Sequence, residues 1–370
     1  MTLSSLDPSL ALPPDPSLVQ LLTPDGRRVT HPDYADGLSA DDVRGLYRDL
    51  VLSRRIDAEG TALTRQGELG LWAPLVGQEA AQVGAGRAMR PQDMAFPTYR
   101  EHGLAWTRGV DPVSLLGLFR GADHGGWDPA EHGFALYAIV LGAQTLHAVG
   151  YAMGAVRDGA VGREDGTAVL ACFGDGASSQ GDVNEALVWA GVQRSPVVFL
   201  CQNNQWGIST PTSAQTRTPL YHRAEGFGFP GVRVDGNDVL ATYAVVRDAL
   251  DRARRGDGPT LVEAWTYRVG PHTTSDDPGR YRPADEVESW RARDPLARVR
   301  LLLEREGTGP EFFAEVDAEA DDLAARIRKA CVEMPDPDPL EAFDHVFVEQ
   351  TPELVRQRDE HAAYLAGFDA

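Results

Sequence analysis

Two unbroken apolar runs do most to limit what this chain can fold into. Ala168-Val169-Leu170-Ala171-Cys172-Phe173 and Pro196-Val197-Val198-Phe199-Leu200-Cys201 are short and lack the apolar–polar alternation of a half-exposed strand. Runs of this kind suit strands covered on both faces, the environment of a parallel sheet. A Gly-rich turn and a helix over about 179–193 separate them. Farther on, Val232-Arg233-Val234 predicts a third strand, Val239 to Arg254 a helix, and Thr260-Leu261-Val262-Glu263-Ala264-Trp265 a fourth strand. Strand and helix in this alternation imply an α/β fold with a doubly wound parallel sheet.

Helical extensions flank that sheet. Residues 1–38 are rich in Pro, Ser and Asp without apolar periodicity, and read as a flexible N-terminal tail. A helix is expected to begin near Ser39. Asp41 and Asp42 favour its positive end, and Val43, Leu46, Tyr47, Leu50 and Val51 share one face. Val76-Gly77-Gln78-Glu79 opens a second helix, and a third runs from about Gln144 to Arg157, with Gly150 and Gly154 one turn apart for a close backbone approach. Trp189, Phe199 and Phe227 are assigned to the core. The division predicted is a tail over 1–38, an α/β cofactor domain over 39–282 and a helical, charged extension over 283–370, which carries Phe343, Val346, Phe347, Leu354 and Tyr364.

Composition excludes several chemistries. Lys329 is the only lysine, so nearly every basic residue is arginine. It lies in a charged helical stretch far from the Gly-rich turns, which argues against Schiff-base catalysis and against a Walker-type nucleotide loop. A formal net charge of −20 is wrong for a general binder of nucleic-acid phosphates. No run approaches the ~20 apolar residues that span a bilayer, so no membrane association is expected. Cys172, Cys201 and Cys331 show no paired spacing and suit a reducing cytoplasm.

In an open parallel sheet, ligands bind outside the carboxyl ends of the strands. Gly174-Asp175-Gly176-Ala177 follows the first apolar run and Gln202-Asn203-Asn204-Gln205-Trp206 the second. Asp175 and Asn204 therefore converge, and a carboxylate beside an amide oxygen suits a hard cation such as Mg2+. Gly174 and Gly176 admit a ligand to the backbone, and the following helix start offers N–H groups to phosphate oxygens. A phosphate-bearing cofactor with Mg2+ is the expectation; each motif taken singly is an ordinary turn. Asp235-Gly236-Asn237-Asp238 reads as a turn capping the next helix. Gly270-Pro271-His272 adds the one histidine placed at this edge, whereas His124, His132 and His147 have no companions at metal spacing and read as solvated or core residues.

Four segments in order, Phe96-Pro97-Thr98-Tyr99-Arg100-Glu101, Ser178-Ser179-Gln180-Gly181-Asp182, Asn203-Asn204-Gln205-Trp206-Gly207-Ile208-Ser209-Thr210 and His272-Thr273-Thr274-Ser275-Asp276-Asp277-Pro278, accompany Gly174-Asp175-Gly176. Together they resemble the α subunits of the decarboxylating component of 2-oxo acid dehydrogenase complexes, from about residue 40 onward. The resemblance implies thiamine diphosphate and Mg2+ as cofactors. It also implies an α2β2 heterotetramer in which the β subunit binds the aminopyrimidine, and a lipoyl-bearing acyltransferase core that takes the acyl group from a small 2-oxo acid. It further implies that Asp175 and Asn204 bind the cation by side chain and Trp206 by its carbonyl. Tyr99, Arg100, Gly174, Gly176 and Ala177 would lie along the diphosphate, Leu141 would be the apolar wedge under the cofactor, and the main chain of Ile139 would lie near the aminopyrimidine. His272 would stand beside the reacting centre, where an imidazole titrating near neutrality serves acyl transfer.

The chain departs from branched-chain relatives at Gln202, where they carry Arg, and at Ile139, where Ser is commoner; residues 127–137 match poorly. Thr273 stands where some relatives are phosphorylated. The His272 loop resembles branched-chain enzymes, and Gln202-Asn203-Asn204-Gln205 resembles pyruvate enzymes. The balance favours 3-methyl-2-oxobutanoate-type substrates, with pyruvate as the alternative. An acetoin dehydrogenase α chain and a non-enzymatic binding module are the remaining readings; the first differs in 2-oxo acid acceptance, the second in lacking affinity for thiamine diphosphate.

Overall fold

A computed structural model describes residues 17–123, 125–163 and 165–368. Its centre is a sheet of five parallel strands: β1 (Met94–Phe96), β2 (Val169–Gly174), β3 (Val197–Asn203), β6 (Gly231–Asp235) and β7 (Thr260–Trp265). They lie in the order β1-β2-β3-β7-β6, and a small antiparallel hairpin, β4 (Trp206–Gly207) with β5 (Thr210–Pro211), stands apart. The four strands expected from sequence are present. β1 was not expected, since three residues are too few to show a period.

Strand geometry explains the unbroken apolar runs. Side chains alternate between faces, so Leu170, Cys172, Val198 and Leu200 enter one core and Val169, Ala171, Phe173, Val197, Phe199 and Cys201 enter the other. The first core is closed by helices α2 (Glu79–Ala88) and α5 (Val239–Arg254), the second by α3 (Ala143–Arg157) and α4 (Gly181–Gln193). Helix α1 (Ala40–Arg65) starts where Ser39 and Asp42 form a reciprocal capping box, and buries Val43, Leu46, Tyr47 and Leu50. Beyond the sheet, α6 (Pro295–Arg305) and α7 (Pro310–Val332) pack on α1. A last helix, α8 (Pro352–Ala366), buries only Leu354, while Val346, Phe347 and Tyr364 are exposed.

Three expectations need correction. The tail does not extend to residue 38. Val19 bridges to Val234 beside the edge strand β6, and Leu21 and Leu22 are buried with their N–H groups donating to Asp238 Oδ2 at 2.7 and 2.6 Å. This strap satisfies edge groups that β6 would otherwise leave unpaired. Residues 1–16 lie outside the described residues. No backbone among the described residues approaches Gly150 or Gly154, since a Cβ built at either meets nothing within 4 Å. Trp189 is not core; it is 45% exposed on the outer face of α4, beside exposed Val188 and Val192. Phe199 is buried as expected, and Phe227 packs partly against the second core.

No helix among the described residues is long and apolar enough to cross a membrane. Cys172, Cys201 and Cys331 are buried free thiols.

Candidate active site

Register brings the two polar turns together. Gly174 pairs with Gln202 across β2 and β3, and Asn203 with Trp265 across β3 and β7, so the chain leaves all three strands at one level. A cavity of about 410 Å³ opens there. Tyr99, Arg100, Leu141, Gly174, Asp175, Gly176, Ala177, Asn204, Trp206 and His272 line it. Ile139 does not; it is 64% exposed in the loop before α3. The Asp235–Asp238 turn also stays away. There Asp238 caps α5 through Leu240 and Ala241, and Asp235 pairs with buried Arg298 at 2.8 Å. His147 is solvent-exposed and His132 half-buried, neither lining the cavity, and His124 lies outside the described residues.

Asp175 is 1% exposed, and burial pushes its carboxyl up to about 6 against hydrogen bonds from Thr212 and Gln215. Both bonds reach the same oxygen: Thr212 Oγ1 donates to Oδ2 at 2.9 Å and Gln215 Nε2 at 3.1 Å. Across the turn, the Trp206 N–H donates to Asn204 Oδ1 at 3.2 Å, which fixes the amide's orientation, and Asn204 Nδ2 donates to Gln78 Oε1 at 2.9 Å. Gln78 is held by the preceding glycine: Gly77 adopts φ +97°, and a Cβ there would stand 2.2 Å from the Tyr267 carbonyl. Gly176 is similarly constrained, with a Cβ meeting Gly207 Cα at 3.2 Å. The Trp206 carbonyl, expected to face a cation, accepts from Arg268 Nη1 at 2.7 Å. A cation there would use the carbonyl's second lone pair or displace the guanidinium.

Arg100 is 7% exposed and bridges two segments. Its Nη1 donates to the Pro74 carbonyl at 2.7 Å, and its Nη2 to the His272 carbonyl at 2.8 Å and to His272 Nδ1 at 3.2 Å. A guanidinium only donates, so Nδ1 carries the lone pair and the proton sits on Nε2, which lies 3.4 Å from the Tyr99 hydroxyl. Burial, then Arg100 and Arg268, push the imidazole down to about 4, with Asp276 opposing them. The expectation of a histidine titrating near neutrality is therefore corrected: two guanidinium neighbours disfavour the cation. The loop itself is tied by His272 N–H to Asp276 Oδ2 at 2.8 Å and by the Tyr281 hydroxyl to the same oxygen at 2.5 Å.

The structure also shows what Gln202 does. It is 3% exposed, donates from Nε2 to Glu101 Oε1 at 2.6 Å, and accepts from Gln82 Nε2 at 3.0 Å. Gln82 in turn donates to the Arg100 carbonyl at 3.0 Å. Burial raises the Glu101 carboxyl, offset by Thr98 and Gln202. Gln202 thus braces the Tyr99–Arg100 turn and adds no charge. Sequence reasoning missed Gln78, Glu101, Arg268, Thr212 and Gln215. Arg268 had a signal in lying four residues before His272; the others are polar residues in unremarkable local contexts.

The sequence model of the dehydrogenase E1 component family matches residues 47–340. The chain is 47% identical over 353 residues to the 3-methyl-2-oxobutanoate dehydrogenase subunit alpha of Mycobacterium tuberculosis (strain ATCC 25618 / H37Rv), covering 95% of each. It is 38% identical over 331 residues to the pyruvate dehydrogenase E1 component subunit alpha of Acholeplasma laidlawii, covering 87% of this chain and 93% of the relative. The corresponding subunit of Staphylococcus aureus (strain Mu50 / ATCC 700699) is 36% identical over 317 residues, 85% of this chain and 84% of its own.

Proposed function

The chain belongs to the dehydrogenase E1 component family, and on that footing we propose that it is the α subunit of a 2-oxo acid dehydrogenase acting on branched-chain 2-oxo acids. The observation that carries the substrate class is the 47% identity, over 95% of both chains, to a 3-methyl-2-oxobutanoate dehydrogenase α subunit. The pyruvate reading keeps support from the 38% identical relative and from Gln202-Asn203-Asn204-Gln205.

The donor set fits thiamine diphosphate with Mg2+. Asp175 and Asn204 both line the cavity, the first with a carboxylate whose side-chain donors meet on Oδ2 and the second with an amide oxygen that accepts only the Trp206 N–H among the hydrogen bonds of the described residues. Hard oxygen donors of this kind suit Mg2+. No cluster of three His, Cys, Asp or Glu occurs among the described residues, in keeping with a site that uses one carboxylate, one amide and one main-chain carbonyl. Asp175, Asn204 and the Trp206 carbonyl hold the cation in this reading. Tyr99, Arg100, Gly174, Gly176 and Ala177 line the same cavity and would hold the diphosphate, with Leu141 offering an apolar contact to the cofactor. The bound cofactor supplies a nucleophilic carbon and an electron sink for loss of CO2.

The chain's own residues arrange that chemistry. Arg100 reaches the diphosphate region while fixing the tautomer of His272, so that Nε2–H is the group offered to the acyl-transfer step. Leu141 and Ile208 are exposed apolar residues of the cavity lining, and Ile139 and Val140, exposed just before Leu141, extend that apolar surface as a rim. That rim is where a β subunit covers the aminopyrimidine in an α2β2 assembly, and a lipoyl arm of the acyltransferase core enters beside His272. Three buried thiols fit a cytoplasmic setting. Turnover of 3-methyl-2-oxobutanoate, pyruvate and longer 2-oxo acids by the reconstituted αβ pair, with an artificial electron acceptor, tests the substrate class. Preference for pyruvate by kcat/KM would replace the branched-chain reading.

A further inference from the structure

The segment that follows Asn204 does more than supply a loop. Hairpin β4/β5 and the short turn of helix Thr212–Gln215 fold back so that two side chains of that turn, Thr212 and Gln215, reach Asp175. Thr212 is 5% exposed and its hydroxyl lies between Asp175 Oδ2 and Asn203 Oδ1, at 2.9 and 3.1 Å. Asn203 is itself fixed, donating from Nδ2 to buried Glu263 at 2.7 Å and accepting from the Gln205 N–H at 3.1 Å. Gln215 donates to the same Oδ2 at 3.1 Å, while its own oxygen accepts from Ser179 Oγ at 3.4 Å. Both donors thus converge on one carboxylate oxygen, and no other side chain among the described residues donates to Asp175.

A carboxylate held this way can offer a cation one oxygen. Bidentate coordination would need Oδ2 to release Gln215 Nε2 and the Thr212 hydroxyl, whose single proton would pass to Asn203 Oδ1 at 3.1 Å, and so undo the contacts that fix the rotation of the carboxylate. Mg2+ takes six ligands in a tight octahedron and commonly one oxygen per carboxylate. Ca2+ takes six to eight at longer distances and readily uses both oxygens. We propose that Thr212 and Gln215 are positioning residues that hold Asp175 to monodentate binding, and thereby make the cofactor site selective for Mg2+ over Ca2+. This rests on the reading that Asp175 and Asn204 hold the cation. Neither residue touches the cation; each acts through Oδ2.

The test is calorimetric titration of the assembled αβ protein with thiamine diphosphate, in Mg2+ and separately in Ca2+. Selectivity is the ratio of the two affinities. Wild type is expected to favour Mg2+ by about tenfold or more, from the difference in preferred coordination. Thr212→Val with Gln215→Leu frees Oδ2, and the ratio should fall severalfold toward unity. Thr212→Ser, which keeps the hydroxyl, should retain the wild-type ratio. Gln215→Leu alone alters a half-buried cavity wall and should move the ratio in the same direction by less, so the idea stays testable if the double variant does not assemble. A merely structural role would weaken binding with both cations alike and leave the ratio unchanged. An unchanged ratio in folded Gln215→Leu and double variants overturns the proposal. Cofactor binding by wild type without any divalent cation would instead remove the metal site itself, and this inference with it.

Discussion

Consider replacing His272 with glutamine, asparagine and alanine in turn. At about 4, the imidazole would be protonated in roughly one molecule per thousand at pH 7, against about a quarter at the ordinary value of 6.5. A mechanism that needs the imidazolium as an acid would thus lose most of that population. Arg100 donating to Nδ1 leaves Nε2–H as the working group, a neutral donor. Glutamine can place an amide N–H near the Nε2 position, whereas asparagine reaches only the Nδ1 position. Alanine and asparagine should slow lipoyl acylation by at least ~100-fold, the lower range for a lost proton-transfer or donor group. Glutamine should stay within about tenfold of wild type, since it restores the hydrogen bond. The wild-type acylation rate should carry no inflection near pH 6.5 arising from this residue. The folded value also lies below the unfolded one, so protonation opposes the ordered loop. Its contribution to stability is complete above about pH 6.5 and falls as pH drops toward 4. Stopped-flow acylation of a free lipoyl domain, across pH 5.5 to 8.5 (about three units, chosen to bracket 6.5), reads the rate effect, and denaturant unfolding carried down to about pH 4 reads the stability effect. An inflection near 6.5 that disappears in His272→Gln, with glutamine as poor as alanine, would refute the neutral-donor argument.

Three further outcomes follow from the same geometry. Asp175→Ala should abolish Mg2+-dependent binding of thiamine diphosphate to the αβ assembly while leaving its thermal melt in place, and calorimetry with wild-type-like affinity would sink the assignment. The α chain alone should show no decarboxylation until a β subunit is added, because among the described residues Glu101 is the one glutamate lining the cavity, and its carboxyl is tied to Thr98 and Gln202. Asp238→Ala removes two cap bonds on α5 and two to the strap at Leu21 and Leu22. A loss of about 2–4 kcal/mol in denaturant unfolding is expected, with early proteolytic nicking of the strap.

What could be read from the sequence was whatever a single chain covers by itself. The runs around Leu170 and Val198 are apolar at every position because helices of this same chain cover both faces, so their pattern announced the sheet. The strap at Val19 gave no such signal. Its environment is made by β6, more than two hundred residues away, and its Pro- and Asp-rich context resembles a tail. Trp189 fails in the opposite direction: its apolar ring fits a core, yet among the described residues it stays 45% exposed, beside exposed Val188 and Val192. Gly150 and Gly154 share that outward setting, with no backbone among the described residues near them.

The site divides along a similar line. Asp175 and Asn204 could be brought together from topology alone, because consecutive parallel strands fix which turns share an edge. Topology does not say which way a side chain turns once there. The family resemblance implies Arg100 along the diphosphate, but its guanidinium also holds Pro74 and His272, contacts made across 26 and 172 positions of sequence. The same holds for Thr212 and Gln215, whose residue types are common in any polar loop. Their significance comes from meeting on one oxygen of Asp175. Strand order therefore explains where a cation can sit, and the orientation of its ligands depends on long-range hydrogen bonds that residue type and spacing do not encode.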